Sequence, residues 1–341
     1  VKGKVTIQAI ADYTGLSKFA VSRGLSGKSG VSPQTRESIL KAAAQLGYFK
    51  EFPNAPVSNG LTDLNTREWS GTVLVLFPNV RYQNTESLYW GPIINGISTH
   101  LDQKGINILT LTEPKDDSVF SLLNPEAIMG ILTVGCISTS ILLEIKRLGI
   151  PVMMVDHNDP AFKSDAIFTD NLSNMRLITT AAIRKGYRNF QFVGNIKDAP
   201  SFYERYLGFR AALEDHDIEL KQIPSLIGPE NEHEKFHETF PIAIRQHGLP
   251  EAFICINDIV VDHILYQFKQ MNITVPDSLI LTGYDNTHPN HPIWATVNID
   301  MEQLGKRAVD QLLWRILNPE AIYEKILIQA DVIIRDEVLE R

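Results

Sequence analysis

The chain has 341 residues, 44% of them hydrophobic, and 32 Lys/Arg against 40 Asp/Glu give a formal net charge of −8 at pH 7. Such a length allows more than one domain and a large core, and the composition excludes collagen-like and disordered chains. No apolar run approaches the ~18 residues that would span a bilayer, and the N-terminus lacks a signal-peptide core, so a cytoplasmic protein with no membrane partner is expected.

The charge is unevenly placed. Residues 1–50 hold eight Lys/Arg against two Asp/Glu, a net +6, which leaves −14 for the remainder. A basic end on an acidic body is the footprint of a protein that meets nucleic-acid phosphates at one end only.

Thr6 is placed to cap a first helix in which Ile7, Ile10 and Ala11 share one face; Gly15 ends it in a left-handed turn and Leu16 folds back onto it. Ser17 caps a second helix that turns Val21 and Leu25 inward and Lys18, Phe19, Ala20, Ser22 and Arg23 outward. Ser32 caps a third helix with Pro33 at its first position, and Ile39, Leu40, Ala43 and Leu46 close the small core before Gly47.

This layout makes a wedge for the DNA major groove. The run Val-Thr-Ile, Ile-Ala, Gly-Leu-Ser-Lys, Val-Ser-Arg, Leu-Ser-Gly, Val-Ser-Pro, Thr-Arg, Leu-Gly-Tyr across residues 5–48 resembles the headpiece of the LacI/GalR family of bacterial transcription regulators. The resemblance implies DNA contacts from Thr6, Ser17, Lys18, Phe19, Ser22, Arg23 and Thr35, with Lys18, Phe19 and Arg23 reading bases and Ser17, Ser22 and Thr35 holding phosphates. It also implies a homodimer on a pseudo-palindromic double-stranded operator.

Residues 51–71 read as a linker. Relatives carry a Pro-Asn-Ala-x-Ala-Arg-x-Leu segment here, a hinge helix that wedges a leucine into the minor groove. This chain has Pro53-Asn54-Ala55-Pro56-Val57-Ser58-Asn59-Gly60-Leu61, without the arginine and with two poor helix formers. Leu61 is the candidate wedge, one place late in register, and a plain tether is the alternative.

From Thr72 strand-like runs alternate with helical patterns, which predicts parallel sheets covered on both faces. Strands are expected at Thr72–Phe77, Asn107–Thr112, Gly130–Val134, Val152–Val155, Asn189–Val193, Ala252–Ile256 and Ser278–Tyr284. Helices are expected at Gly91–Lys104, Ser140–Leu148, Asn171–Lys185, Ser201–Asp215, Asp258–Met271 and Met301–Leu317. The predicted fold is an N-terminal all-α helix-turn-helix headpiece (1–50) and an α/β two-lobed, periplasmic-binding-protein-like body (72–341) with two doubly wound parallel sheets. Lobe 1 would take about 72–168 and 299–327, and lobe 2 about 169–298 and 328–341, with an effector in the cleft at the carboxyl ends of the strands.

Family likeness continues through Ser201-Phe202-Tyr203-Glu204-Arg205, Asn257-Asp258, Val275-Pro276-Asp277-Ser278, Gly283-Tyr284-Asp285-Asn286 and Trp294-Ala295-Thr296-Val297. By that resemblance Ser201, Arg205, Asn257, Asp285 and Asp156 stand where relatives hold sugar hydroxyls, and Tyr89 and Trp90 offer a ring face; His157 lies beside them. Other readings remain open: Asp258 caps its helix, Arg205 is a helix-surface cation, Asp156 orders a loop, and Tyr89 or Trp90 is core.

His157, His233, His237, His263, His288 and His291 show no firm metal spacing, and His233-x-x-x-His237 falls in a charged, loop-like stretch. Cys136 and Cys255 sit in apolar strand-like contexts and are expected as buried free thiols. With no phosphate loop and no nucleophile–base motif, neither an enzyme nor a cofactor is expected. The expected protein is a DNA-binding transcriptional regulator controlled by a sugar-like effector. An amino sugar fits best, because Asp156 and Asp285 outnumber Arg205. A carbohydrate receptor of the periplasmic type and an enzyme on the same scaffold are the alternatives; the basic headpiece and missing export core count against the first, the missing catalytic constellation against the second.

Overall fold

A computed structural model describes residues 6–25, 30–32, 35, 36, 38, 39, 42, 43, 69–78, 86–114, 124–228 and 233–335. Leu61, linker residues 51–68, Pro33, Leu40 and Leu46 lie outside the described residues. The chain divides into two compact units, Val1–Asp63 and Leu64–Arg341.

In the first unit, α1 (Ile7–Thr14) begins at Thr6, whose hydroxyl accepts from the Ala9 N–H at 3.2 Å, and ends at Gly15 with φ 67°. α2 (Lys18–Leu25) begins after Ser17, whose Oγ accepts from the Ala20 N–H at 3.1 Å. Ile10, Ala11, Val21, Ile39, Ala42 and Ala43 are buried together, with Leu16 and Leu25 packed against them. Gly24 lets α2 approach closely, since a Cβ there would stand 2.6 Å from Ile39 Cδ1.

The second unit contains two sheets. Lobe 1 has six strands, β1 (Thr72–Phe77), β2 (Asn107–Thr112), β3 (Ile128–Val134), β4 (Val152–Val155), β5 (Asp165–Thr169) and β10 (Lys325–Ile328), in the order β10-β5-β4-β3-β1-β2 and parallel throughout. Lobe 2 has five, β6 (Phe190–Val193), β7 (Ala252–Cys255), β8 (Ile280–Thr282), β9 (Ala295–Asn298) and β11 (Asp331–Ile334), in the order β11-β9-β8-β7-β6. Only the β11–β9 pair is antiparallel. The described helices are α3 (Trp90–Gln103) and α4 (Thr139–Arg147) in lobe 1, then α5 (Asn171–Arg184), α6 (Pro200–Glu214), α7 (His233–His247) and α8 (Asp258–Gln270) in lobe 2, and α9 (Met301–Leu317).

α9 leaves lobe 2 after β9 and packs against α3, β3, β4 and β5 of lobe 1. The α3–α9 crossing is set by reciprocal glycines: a Cβ on Gly96 would lie 2.1 Å from the Glu302 carbonyl oxygen, and one on Gly305 2.2 Å from that of Ile93. The chain therefore crosses between sheets after β5, after β9 and after β10. The first and third crossings are joined by a backbone bond from Asp170 N–H to the Ile328 carbonyl at 3.1 Å. No helix among the described residues is long and apolar enough to cross a membrane.

Several sequence expectations need correction. The stretch holding His233 and His237 is a helix, not a loop, because Phe236, Phe240, Ala243 and Ile244 form a buried stripe at helical spacing. The structure adds β5, β9, β10 and β11 to the expected strands, and the expected strand Ser278–Tyr284 contracts to Ile280–Thr282. Cys255 is buried, as expected, but Cys136 is exposed in the turn after β3; both are free thiols. Asp258 does not cap α8. Asn257 does, its Oδ1 accepting from the Val260 N–H at 3.1 Å.

Candidate functional site

On the outer side of α2, Lys18, Phe19 and Ser22 are exposed, whereas Val21 is fully buried. Phe19 is 68% exposed, a cost that a ring reserved for packing would not incur. The Arg23 guanidinium lies 5.2 Å from its ring centre, which braces both side chains. Of the expected phosphate-holding hydroxyls, Ser17 Oγ already accepts from the Ala20 N–H, and Thr35 Oγ1 shares a 2.7 Å hydrogen bond with Ser32 Oγ. Thr6 is likewise engaged in its own helix cap.

The second candidate site is built at the carboxyl ends of strands from both lobes. Asp156 follows β4 and Asp285 follows β8, each in left-handed backbone, with φ of 55° and 85°. Aspartate tolerates that region better than most residues, and held there it directs its carboxylate off the strand end. In lobe 1 the Tyr89 hydroxyl, just before α3, donates to Asp156 Oδ2 at 3.1 Å. Trp90 packs edge-on against Tyr89 with ring centres 4.9 Å apart.

In lobe 2, α6 carries Ser201 and, one turn later, Arg205, both buried. The Arg205 guanidinium donates from Nη2 to Asp285 Oδ1 at 3.1 Å, from Nη1 to the Ile256 carbonyl at 2.8 Å and from Nε to Asn171 Oδ1 at 3.0 Å. It also stacks 3.6 Å from the Tyr284 ring centre. With 2% exposure it is no surface cation.

Asp258 supports this arrangement from behind. Its Oδ1 accepts from the Thr296 hydroxyl at 2.9 Å and its Oδ2 from the His288 N–H at 3.2 Å. A Cβ on Gly283 would stand 1.9 Å from that Oδ1, so only glycine lets the 283–288 segment close over the carboxylate and hold Asp285 in place.

Burial pushes the Asp156 carboxyl up to about 7, although Arg205 and the Tyr89 hydrogen bond oppose it; Asp285 and Glu204 add to the rise. Burial likewise raises Asp285 to about 6 against the pull of Arg205. Burial works against the Arg205 charge, but Asp285, Tyr284, Tyr89 and Asp156 outweigh it and hold the guanidinium firmly protonated. The lining therefore pairs two carboxylates with one fixed cation.

The structure thus brings Tyr89, Asp156, Arg205 and Asp285 into one electrostatic cluster. Asn257 commits its carbonyl to capping α8. His157 is 6% exposed and titrates below its usual range, through burial, in surroundings that include Ile137, Asp159 and Glu113. Asn171, Glu204 and Tyr284 were not singled out from sequence, and their involvement depends on contacts between residues 33 to 110 positions apart. Among the described residues no group of His, Cys, Asp and Glu is arranged to hold a metal ion.

Residues 6–51 match the family described as bacterial regulatory proteins, lacI family, and residues 179–336 match the periplasmic binding protein-like domain. The HTH-type transcriptional repressor PurR of Haemophilus influenzae (strain ATCC 51907 / DSM 11121 / KW20 / Rd) is 25% identical over 345 residues, 98% of each chain. That of Actinobacillus pleuropneumoniae serotype 3 (strain JL03) is 24% identical, covering 94% of this chain and 93% of its own. Among solved structures, a transcriptional regulator CelR–cellobiose complex superposes with a TM-score of 0.67 at 19% identity, covering 98% of this chain and 99% of that one. The Lac repressor dimer bound to operator and the anti-inducer ONPF gives 0.64 at 18% identity, with the same coverage. A LacI family transcriptional regulator from Enterococcus faecium with bound ribose gives 0.62 at 19% identity, covering 77% of this chain and 97% of that one.

Proposed function

We propose, for a chain that belongs to the LacI family of bacterial transcription regulators, that this DNA-binding repressor answers to a carbohydrate-like effector held between its lobes, and that the effector carries a positive charge. The observation that carries this reading is the imbalance of the cleft: Asp156 and Asp285 face a single guanidinium, Arg205, whose charge is already shared with Asp285. A ligand ammonium would supply the missing cation, and ligand hydroxyls would accept from Arg205 and from the Asn257 amide and exchange hydrogen bonds with Ser201. A sugar phosphate would meet excess negative charge. Cellobiose and ribose in the cited solved structures support a carbohydrate-like ligand class.

Sugar binding alone would suit a receptor of the periplasmic type equally well; the lacI-family headpiece at residues 6–51 is what favours the regulator. We read no catalytic role and place the protein in the bacterial cytoplasm, on operator DNA. A homodimer on a pseudo-palindrome is the expected form, because one headpiece reads too few base pairs for specificity.

Two experiments test this. Thermal shift with glucosamine, galactosamine, glucose, galactose and glucose 6-phosphate should raise the melting temperature most for an amino sugar. Tighter binding of the phosphate than of its parent sugar would overturn the electrostatic reading. Footprinting should show a two-fold symmetric site, and a single half-site protected by a monomer would overturn the dimer.

A further inference from the structure

Arg205 reaches beyond the cleft. Its Nε donates to Asn171 Oδ1 at 3.0 Å, the Asn171 amide donates from Nδ2 to Glu204 Oε2 at 3.1 Å, and Glu204 Oε1 pairs with Lys325 Nζ at 3.4 Å. Asn171 opens α5 directly after the first crossing between lobes. Lys325 opens β10 on the lobe 1 sheet, opposite Ala166 of β5. Four side chains therefore lead from a lobe 2 guanidinium, past a crossing segment, to a lobe 1 strand.

The chemistry of the chain permits only one orientation. Arginine and lysine donate and never accept, and a carboxylate only accepts. Asn171, 1% exposed, must therefore turn its carbonyl to Arg205 and its amide to Glu204. Flipping that amide would set donor against donor at one end and acceptor against acceptor at the other, a costly arrangement in a buried place. The Glu204–Lys325 end is different, with side chains 30% and 49% exposed. An ion pair so wetted is weak and readily broken.

We propose that Asn171 is a positioning residue that couples Arg205 to the Glu204–Lys325 pair between the lobes, so that cleft occupancy and lobe placement bias one another. The proposal rests on Arg205 being an effector-binding side chain. A ligand that holds the guanidinium in place holds Asn171 and Glu204 with it and favours the lobe arrangement in which Lys325 is within reach. By linkage, anything that alters Lys325 is felt at Arg205. The hydrogen bond from Asp170 N–H to the Ile328 carbonyl gives the same crossings a second, backbone tie.

Arginine side-chain NMR on the full chain tests this without a ligand. Lys325→Met should shift the Arg205 Nε–Hε resonance and speed its exchange with solvent several-fold, whereas Lys325→Arg, which keeps the ion pair, should restore both toward wild type. Asn171→Leu, near-isosteric but unable to accept from Arg205 or to donate to Glu204, should also speed that exchange and should leave it indifferent to Lys325→Met. An Arg205 signal indifferent to Lys325→Met, or equally disturbed by Lys325→Arg, overturns the proposal. Calorimetry with glucosamine on the same variants keeps the two readings apart: a wild-type protein that ignores glucosamine refutes the cationic-sugar reading, while the NMR outcome still decides the relay.

Discussion

Tyr89 donates its hydroxyl to Asp156 at 3.1 Å, joining the residue before α3 to the end of β4, 67 positions later in the chain. The phenol meets a carboxylate whose protonation is already favoured by burial, and the Tyr89 hydroxyl is itself pushed well above its usual range by burial and by the carboxylates of Asp156 and Asp285. Ionising Asp156 therefore carries an electrostatic deficit that Tyr89 and Arg205 only partly offset.

That deficit predicts a pH-dependent stability. The Asp156 carboxyl lies near 7 in the folded chain, above its unfolded value, so its contribution is fully present below about pH 4 and is lost as pH rises toward 7. Asp156→Asn stays neutral and still accepts from Tyr89. It should therefore be more stable than wild type at pH 8, by on the order of 1–3 kcal/mol, and the gain should shrink steadily toward pH 5. Denaturant unfolding at both pH values checks this, and a pH-independent difference would refute it.

The same ionisations should govern ligand choice. Between pH 5.5 and 7 the cleft gains negative charge as Asp285, near 6, and then Asp156, near 7, lose protons. Glucosamine affinity should rise by roughly tenfold across that range, while a neutral sugar should change little, since one unit of proton linkage is worth about 1.4 kcal/mol. Calorimetry at fixed ionic strength measures both. Parallel pH profiles for the two sugars would count against a cation-selecting cleft.

Arg205, proposed above as a ligand contact, also holds Asp285 in the fold, and a paired substitution separates the two roles. Arg205→Met leaves Asp285 buried without its partner and should cost about 3–5 kcal/mol of stability. Adding Asp285→Asn removes the stranded charge and should restore part of that stability while leaving ligand binding abolished. Binding recovered by the double variant would show that the guanidinium is not a ligand contact.

Local chemistry made the headpiece legible: Thr6, Gly15 and Ser17 announce helix ends through hydrogen bonds made within four residues. α7 was hidden because charged residues and Pro241 interrupt its surface, while Phe236 and Phe240 are recognised as a buried stripe only against the helix and sheet that cover them. β5 is masked in the sequence for a related reason. Its first residue is Asp165, which reads as a loop until Arg315, 150 positions away, is seen to hold it. In the cleft, Arg205 and Asp285 could be picked out by family likeness, but Asn171 could not, since its importance lies in joining Arg205 to Glu204.

The Arg315–Asp165 pair should be among the most destabilising places to cut. Arg315 donates to both Asp165 oxygens, at 2.7 and 2.9 Å, and to the carbonyls of Asn318, Ala321 and Ile322 at 3.1, 2.6 and 2.7 Å. It thereby fastens the turn after α9 to β5 and sets where β10 joins the sheet. Arg315→Ala strands a fully buried carboxylate and should lower stability by about 3–5 kcal/mol, whereas Arg315→Ala with Asp165→Asn should lose less. Additive losses in the double variant would mean the two side chains act independently.

On DNA, Lys18, Phe19 and Arg23 on the outer side of α2 should carry base readout, with Arg23 the main discriminator. Phe19 braces the guanidinium at 5.2 Å, so less side-chain freedom is lost when Arg23 presents its fork to a guanine edge. Arg23→Ala should cost about 1–3 kcal/mol at the cognate operator and flatten the ratio of specific to non-specific binding. Phe19→Ala should weaken specific binding as well, by loosening Arg23, and the two losses should be less than additive. Binding isotherms on operator and scrambled DNA at one salt concentration decide the matter, because a simple phosphate contact would weaken both alike. An unchanged specificity ratio in Arg23→Ala would move base readout away from this face of α2.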